Sequence, residues 1–476
     1  MNPIMKKTSI TDSETGRAVS RTKRTPSRFP ADFVWGAASA SYQIEGGWNE
    51  DGKGLSVWDV FSHQPGIIYN NDNGDVACDH YHRHKEDVGL MKQIGLDAYR
   101  LSLSWPRLMP EGTGKVNSKG LEFYDRLIDE LLENGITPYV TLFHWDLPYA
   151  LEQRGAWLNP SSPDWFAEYT AVAVSKLSDR VKHWMTFNEP QCFIGLGYLD
   201  GAHAPGRKVY FSEYLQMAHH VAIAHGKSIV AIRANAQSPV QVGFAMVGHS
   251  VFPATETAAD IAAARKAMFA ISDKTQWNNS WWMDPILLGT YPEEGIKLYG
   301  KDMPKIRPDD LKTACQPLDF FGYNTYFGRP VKASADGGFE WVPPQAGHPL
   351  TAFKWKVAPE SLYWNSRFYH ERYKLPLYIT ENGLSCCDWV SLDGNVHDPQ
   401  RIDFLHRYLK SVKRACAEGI PVKGYFQWSI MDNFEWREGF KERFGLIYVD
   451  FQTQQRILKD SACWYRETIS RNGENI

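Results

Sequence analysis

Eight short runs of β-branched and aromatic residues recur along the chain, each followed by a stretch with the apolar period of a helix. They are Phe33–Ala40, Ala98–Trp105, Thr137–Trp145, His183–Pro190, Val240–Val247, Asp319–Tyr326, Leu377–Gly383 and Gly424–Phe434. The runs are nearly continuous in apolar character, as strands must be when helices cover one face and a core fills the other. Repeated strand–helix units make a parallel sheet, and eight of them close it, so the predicted fold is α/β, a single (β/α)8 TIM barrel. The intervening stretches agree. Ser118–Asn134 puts Leu121, Tyr124, Leu127, Ile128 and Leu131 on one face and stops at Asn134-Gly135, and Phe404–Glu418 repeats the pattern before Gly419. A barrel of this kind needs about 250 residues, whereas the chain has 476. The surplus is expected in long βα loops that shape a pocket.

No linker, low-complexity run or short internal repeat divides the sequence after residue 28, so residues 29–476 are expected to form one domain. The first 28 residues hold nine Ser/Thr, seven Lys/Arg and two acids, with no apolar run long enough for a signal sequence, and read as a disordered tail. No window approaches a membrane span. A net charge of −3 offers no electrostatic footprint for nucleic acid or an anionic membrane, so a neutral small molecule is the expected partner. The seven cysteines are scattered, with no C-x-x-C pair, which suits reduced thiols in the cytoplasm and indicates no structural zinc.

Barrels of this class carry their chemistry at the carboxyl ends of the strands, so polar residues that close an apolar run are the ones to collect. These are Gln43 and Glu45 after the first run, Arg100 in the second, His144 and Trp145 after the third, and Asn188 and Glu189 after the fourth. Later runs add Asn324 and Tyr326, then Glu381 and Asn382, then Trp428, Glu435 and Trp436. Glu189 and Glu381 each end a hydrophobic strand, in Trp184-Met185-Thr186-Phe187-Asn188-Glu189-Pro190 and Leu377-Tyr378-Ile379-Thr380-Glu381-Asn382-Gly383. Burial raises a carboxyl pKa and a nearby cation lowers it, so two such groups can hold one protonated and one ionised member. A single strand-end Glu is more often a salt-bridge partner than a catalyst; two together favour acid–base and nucleophilic work.

These segments resemble the signatures of glycoside hydrolase family 1, the β-glucosidase family. The likeness covers Phe33-x-Trp35-Gly36-x-Ala38, Tyr42-Gln43-Ile44-Glu45-Gly46, Tyr99-Arg100-Leu101-Ser102-x-Ser104-Trp105 and Leu142-x-His144-Trp145-Asp146-Leu147-Pro148. It continues through Thr186-x-Asn188-Glu189-Pro190, Ile379-Thr380-Glu381-Asn382-Gly383 and Asp432-Asn433-Phe434-Glu435-Trp436-x-x-Gly439-Phe440, from Phe29 to about Trp464.

The resemblance implies a retaining, exo-acting β-glycosidase, foremost a β-glucosidase with β-fucosidase and β-galactosidase side activity, working without cofactor or metal on β-glycosides or short oligosaccharides. Glu381 would be the nucleophile and Glu189 the acid/base, their carboxyls about 5–5.5 Å apart. Arg100 and Tyr326 would orient Glu381 and keep it ionised. Asn188 would bind the 2-hydroxyl. Gln43, His144, Trp145, Asn324, Glu435 and Trp436 would hold the sugar, with Trp428 stacked on its apolar face. Trp355 resembles the platform for the leaving group. Glu435 would repel a phosphate, which disfavours phosphorylated sugars. Thr325 departs from the family, which often has Tyr there. The rival readings are a transglycosylating member and a catalytically inactive sugar-binding relative. His80, His82 and His84 lack a third placed ligand for a metal, and Gly195-x-Gly197 lacks the rest of a dinucleotide fingerprint.

Overall fold

A computed structural model describes residues 28–476. Eight strands form a closed parallel barrel: β1 (Val34–Ala38), β2 (Ala98–Ser102), β3 (Thr137–Phe143), β4 (His183–Asn188), β5 (Gln241–Met246), β6 (Phe321–Asn324), β7 (Leu377–Asn382) and β8 (Val422–Trp428). Every strand pairs with its neighbours in chain order, and β8 closes on β1 in register from Val34↔Gly424 to Ala38↔Trp428. The predicted barrel is the observed one, with each predicted run overlapping its strand. Helices follow the strands in turn: α1 (His80–Ile94), α2 (Ser118–Glu133), α3 (Ser162–Leu177), α4 (Phe211–Asn235), α5 (Ala258–Phe269), α6 (Glu360–Tyr373), α7 (Pro399–Ala417) and α8 (Asp460–Ser470).

Two separate apolar clusters build the core. One lies between the sheet and its helices and takes the buried stripe of α2, with Phe123, Tyr124, Leu127, Ile128 and Leu131. The smaller one fills the barrel with side chains such as Ala98, Tyr139, Met185, Tyr378 and Phe426, the layered packing that makes such a barrel solid rather than a pore. Gly36 in β1 leaves the room for Phe426: a Cβ there would stand 2.4 Å from its Cδ1.

The surplus length sits in the βα connections. After β5 and β6 the loops form a small sheet, Val251–Pro253 parallel to Arg329–Ala333, which is antiparallel to Phe339–Trp341. A buried charge cluster ties the loops after β7 and β8 together. Lys459 Nζ lies 2.6 Å from both Asp388 and Asp432, and Arg401 binds Asp388 at 2.8 Å and Asp398 besides. Each buried charge there has an opposite partner, without which it would cost several kcal/mol, about 3–5. His80, set aside above as a metal ligand, instead bonds Asp87 at 2.7 Å. The predicted tail, residues 1–28, lies outside the described residues except for Arg28, which pairs with Glu474 at 3.0 Å. No helix among the described residues is long and apolar enough to cross a membrane.

Candidate active site

A cavity of about 500 Å³ opens at the carboxyl ends of the strands, and both Glu189 and Glu381 line it. His144, Trp145, Asn324 and Tyr326 share its wall, as do Trp355, Trp428, Glu435 and Trp436. Arg100, Asn188 and Gln43 are buried behind these residues. The structure thus brings together residues that lie more than 300 positions apart in the chain.

Glu381 is the penultimate residue of β7, opposite Asn324 of β6 in the sheet register. The next glycine, Gly383, is required by close approach: a Cβ there would be 1.9 Å from the carbonyl oxygen of Trp428. Arg100 reaches from β2 and donates to Glu381 Oε1 at 2.6 Å, and the Tyr326 hydroxyl donates to Oε2. Burial raises the Glu381 pKa above the ordinary carboxylate value, and the Arg100 charge and the Tyr326 hydrogen bond work against that rise. Arg100 is itself anchored by Thr141 Oγ1 at 3.2 Å, the Thr380 carbonyl at 3.1 Å and Asn188 Oδ1 at 2.6 Å.

Glu189 follows β4 directly, and among the described residues no cation is bonded to it. Asn324 Nδ2 donates to its Oε1 at 2.6 Å and the Cys192 thiol to its Oε2 at 3.1 Å. Burial, and then the negative charge of Glu381, raise its pKa, more than these donors and the more distant Arg100 lower it. Trp145, Glu189 and Trp436 hold left-handed backbone, with φ of 80°, 47° and 52°.

Around Trp428 and Trp436 three polar atoms have no hydrogen-bond partner among the described residues. Gln43 Nε2 donates to Asn433 Oδ1 and the Phe434 carbonyl, but its Oε1 has no partner. Asn188 Oδ1 accepts from Arg100 and Asn324, so its Nδ2 faces His144 Nε2 at 3.0 Å. That nitrogen is therefore the acceptor, and His144 Nδ1 carries a proton with no acceptor. Burial and then Arg100 keep the imidazole well below its ordinary pKa, hence neutral. Glu435 Oε2 is buried and unpartnered too, and burial followed by the charge of Glu381 raises its pKa. Such donors and acceptors suit a ligand rich in hydroxyls. Trp145 contributes its ring alone, since its indole N–H is bonded to the Asn188 carbonyl at 2.9 Å. Trp355 packs 5.1 Å from Tyr326 and 4.4 Å from Phe353, ring centre to ring centre. Thr325 fits its position by accepting from Asn365 Nδ2 at 2.8 Å.

Cys192 was missed in the sequence, as were the anchors Thr141 and Thr380. The only signal for Cys192 was its place three residues beyond Glu189, and the thiol type argued for nothing. Glu45, collected above as a strand-end acid, turns away into an ion pair with Arg107 at 2.9 Å.

The model of glycosyl hydrolase family 1 matches residues 25–474. Beta-glucosidase A of Thermotoga maritima is 45% identical over 94% of this chain and 98% of its own length. Beta-glucosidase A of Acetivibrio thermocellus is 44% identical over 94% of this chain and 99% of its own. Among solved structures, the Thermotoga maritima β-glucosidase in complex with glucoimidazole superposes with a TM-score of 0.86 at 44% identity, covering 94% of this chain and all of the other. The same enzyme in complex with galacto-hydroximolactam gives the same score, identity and coverage.

Proposed function

The chain belongs to glycosyl hydrolase family 1, and on that premise we propose that it is an exo-acting β-glucosidase that retains anomeric configuration, with Glu381 as nucleophile and Glu189 as acid/base. The observation that carries this reading is the unequal treatment of two buried carboxyls in one cavity. Glu381 is bonded to a guanidinium and a phenol, whereas Glu189 has only an amide and a thiol and feels the charge of Glu381.

In the first step Glu189 gives its proton to the glycosidic oxygen while the Glu381 carboxylate attacks the anomeric carbon. The bond to the leaving group breaks, the alcohol departs neutral, and an ester joins the sugar to Glu381. Esterification removes the charge of Glu381, one of the two influences that raise Glu189, so the newly ionised Glu189 is stable enough to act as a base. It takes a proton from water, which attacks the same carbon and releases Glu381. Two inversions give net retention.

The unpartnered atoms of Gln43, His144 and Glu435 gather beside Trp428 and Trp436 and suit the hydroxyls of one terminal ring, which supports exo action. Glucosides are the main substrates in this reading, with fucosides and galactosides slower; the complexes of the Thermotoga relative with gluco- and galacto-configured inhibitors support that range. Residues 29–476 act as one catalytic domain, and the seven free cysteines favour a reducing, cytoplasmic setting.

The test is product stereochemistry followed by NMR during turnover of an aryl β-glucoside, together with the variant Glu381→Gly. The β anomer should form first, and azide should restore part of the activity lost in the variant. An α anomer as first product, or full activity in the variant, overturns the mechanism.

A further inference from the structure

We propose that the outer half of the cavity receives an aromatic leaving group bearing an anionic substituent, a carboxylated phenol being the simplest case, with Arg329 and Arg437 as its counter-charges. The proposal rests on the reading of the inner half as the sugar site.

Arg329 and Arg437 both line the cavity, and among the described residues neither guanidinium has a carboxylate partner or a side-chain hydrogen bond. Arg329 begins the strand Arg329–Ala333, where its backbone N–H is held by the Ser250 carbonyl at 2.9 Å. Its guanidinium lies on the Trp341 ring, 4.1 Å from the centroid. Stacking occupies the flat face and leaves the rim of N–H donors available, the geometry that grips a carboxylate through two bonds. Arg437 follows Trp436 and is exposed. It is close enough to His203 to reinforce the effect of burial in depressing that imidazole, as Arg329 does for His249. Both histidines therefore stay neutral and add no charge of their own.

The acids of the cavity do not cancel these cations. Glu381 faces Arg100 and Glu438 is paired with Lys441 at 2.5 Å. Glu189 and Glu435 are both shifted toward the protonated form. A leaving group entering here meets two guanidiniums without carboxylate partners among the described residues. It also meets rings: Phe353 lies 4.4 Å, Phe327 5.5 Å and Phe444 6.0 Å from Trp355. That wall offers a planar apolar surface with few acceptors or donors, which fits an aromatic ring better than a second sugar.

The experiment compares kcat/KM for 4-carboxyphenyl β-glucoside with that for its uncharged isostere, 4-carbamoylphenyl β-glucoside. The ratio is taken in the wild type, in Arg329→Gln, in Arg437→Gln and in the double variant. A ratio measured on one enzyme sample cancels any loss of folded protein. It should fall about fivefold or more from wild type to double variant. In the wild type alone it should also fall as NaCl is raised from 20 to 500 mM, because exposed charge pairs are screened. A ratio unmoved by both substitutions and by salt overturns the proposal while leaving the β-glucosidase reading intact. Failure of the wild type to cleave 4-nitrophenyl β-glucoside overturns that reading and this one with it.

Discussion

Glu45 and Glu381 stand in nearly the same company and do different things. Each is buried, at 4% and 3% exposure, and each accepts from one arginine and one tyrosine. Glu45 takes Arg107 Nε at 2.9 Å and the Tyr124 hydroxyl at 2.6 Å; Glu381 takes Arg100 Nη1 at 2.6 Å and the Tyr326 hydroxyl. Arg107 is closed in by Tyr81, whose ring centre is 4.2 Å away, and by the Gly46 carbonyl at 2.9 Å, so that triad is a strut between α2 and the loop after β1. Glu381 faces a cavity with a second carboxyl in it. On the proposed mechanism, an Arg–Glu–Tyr cluster is reactive only where a substrate can reach it and a second carboxyl shares the cavity.

The comparison breaks most readily at the acids themselves. Glu381→Gln should lower kcat by roughly 10⁴-fold or more, while Glu45→Gln should leave turnover per folded molecule near wild type and cost about 3–5 kcal/mol of stability through an unpaired Arg107. Active-site titration beside thermal melting separates the two, and a turnover defect in folded Glu45→Gln would erase the distinction. Next in size is Glu189→Ala, which should slow alkyl glucosides about 10²–10⁴-fold and dinitrophenyl glucosides far less, because only the former need a proton on the leaving oxygen. Equal losses across a leaving-group series would remove Glu189 from the acid role. The tyrosines give a third, smaller contrast: Tyr326→Phe should cost about 10²-fold in kcat and Tyr124→Phe about 1–3 kcal/mol of stability with little change in rate.

The finest test uses pH. With the proposed roles, the acidic limb of a kcat/KM profile should follow ionisation of Glu381 and the basic limb loss of the Glu189 proton. Burial raises both, so the bell should lie above the range of free glutamates. Cys192 donates to the ionised form of Glu189 and so lowers its pKa. Cys192→Val should move the basic limb upward by about 0.3–0.7 unit and leave the acidic limb in place, since a thiol is a weak donor. A downward shift would mean that the thiol does not bond the carboxylate.

The barrel was legible because its strands are buried on both faces, so their apolar runs are unbroken. The eighth shows the limit: the run read as Gly424–Phe434 is a strand only over Val422–Trp428, because Ile430, Met431 and Phe434 stay buried in the loop beyond it. The rim sheet around Arg329 was not foreseen, as three-residue strands carry too little pattern to separate from loop. In the site, both carboxyls could be picked out as strand-end acids, but Glu45 passed the same filter. Only the likeness to a family separated them, since pairings such as Arg100 with Glu381 depend on barrel closure rather than on any local signal. Cys192 shows the remainder: its role comes from the direction of one side chain, which no spacing rule encodes.

Trp145, Glu189 and Trp436 hold the left-handed backbone that glycine adopts freely and a large side chain resists, at a penalty of about 1–3 kcal/mol each. The rest of the barrel must supply that energy, so heat tolerance and turnover compete for the same three positions. A descendant released from its chemistry would gain by letting glycine in there. A lineage freed of the chemistry would therefore show it at Trp145 and Trp436 as well as in the loss of the acid at Glu189.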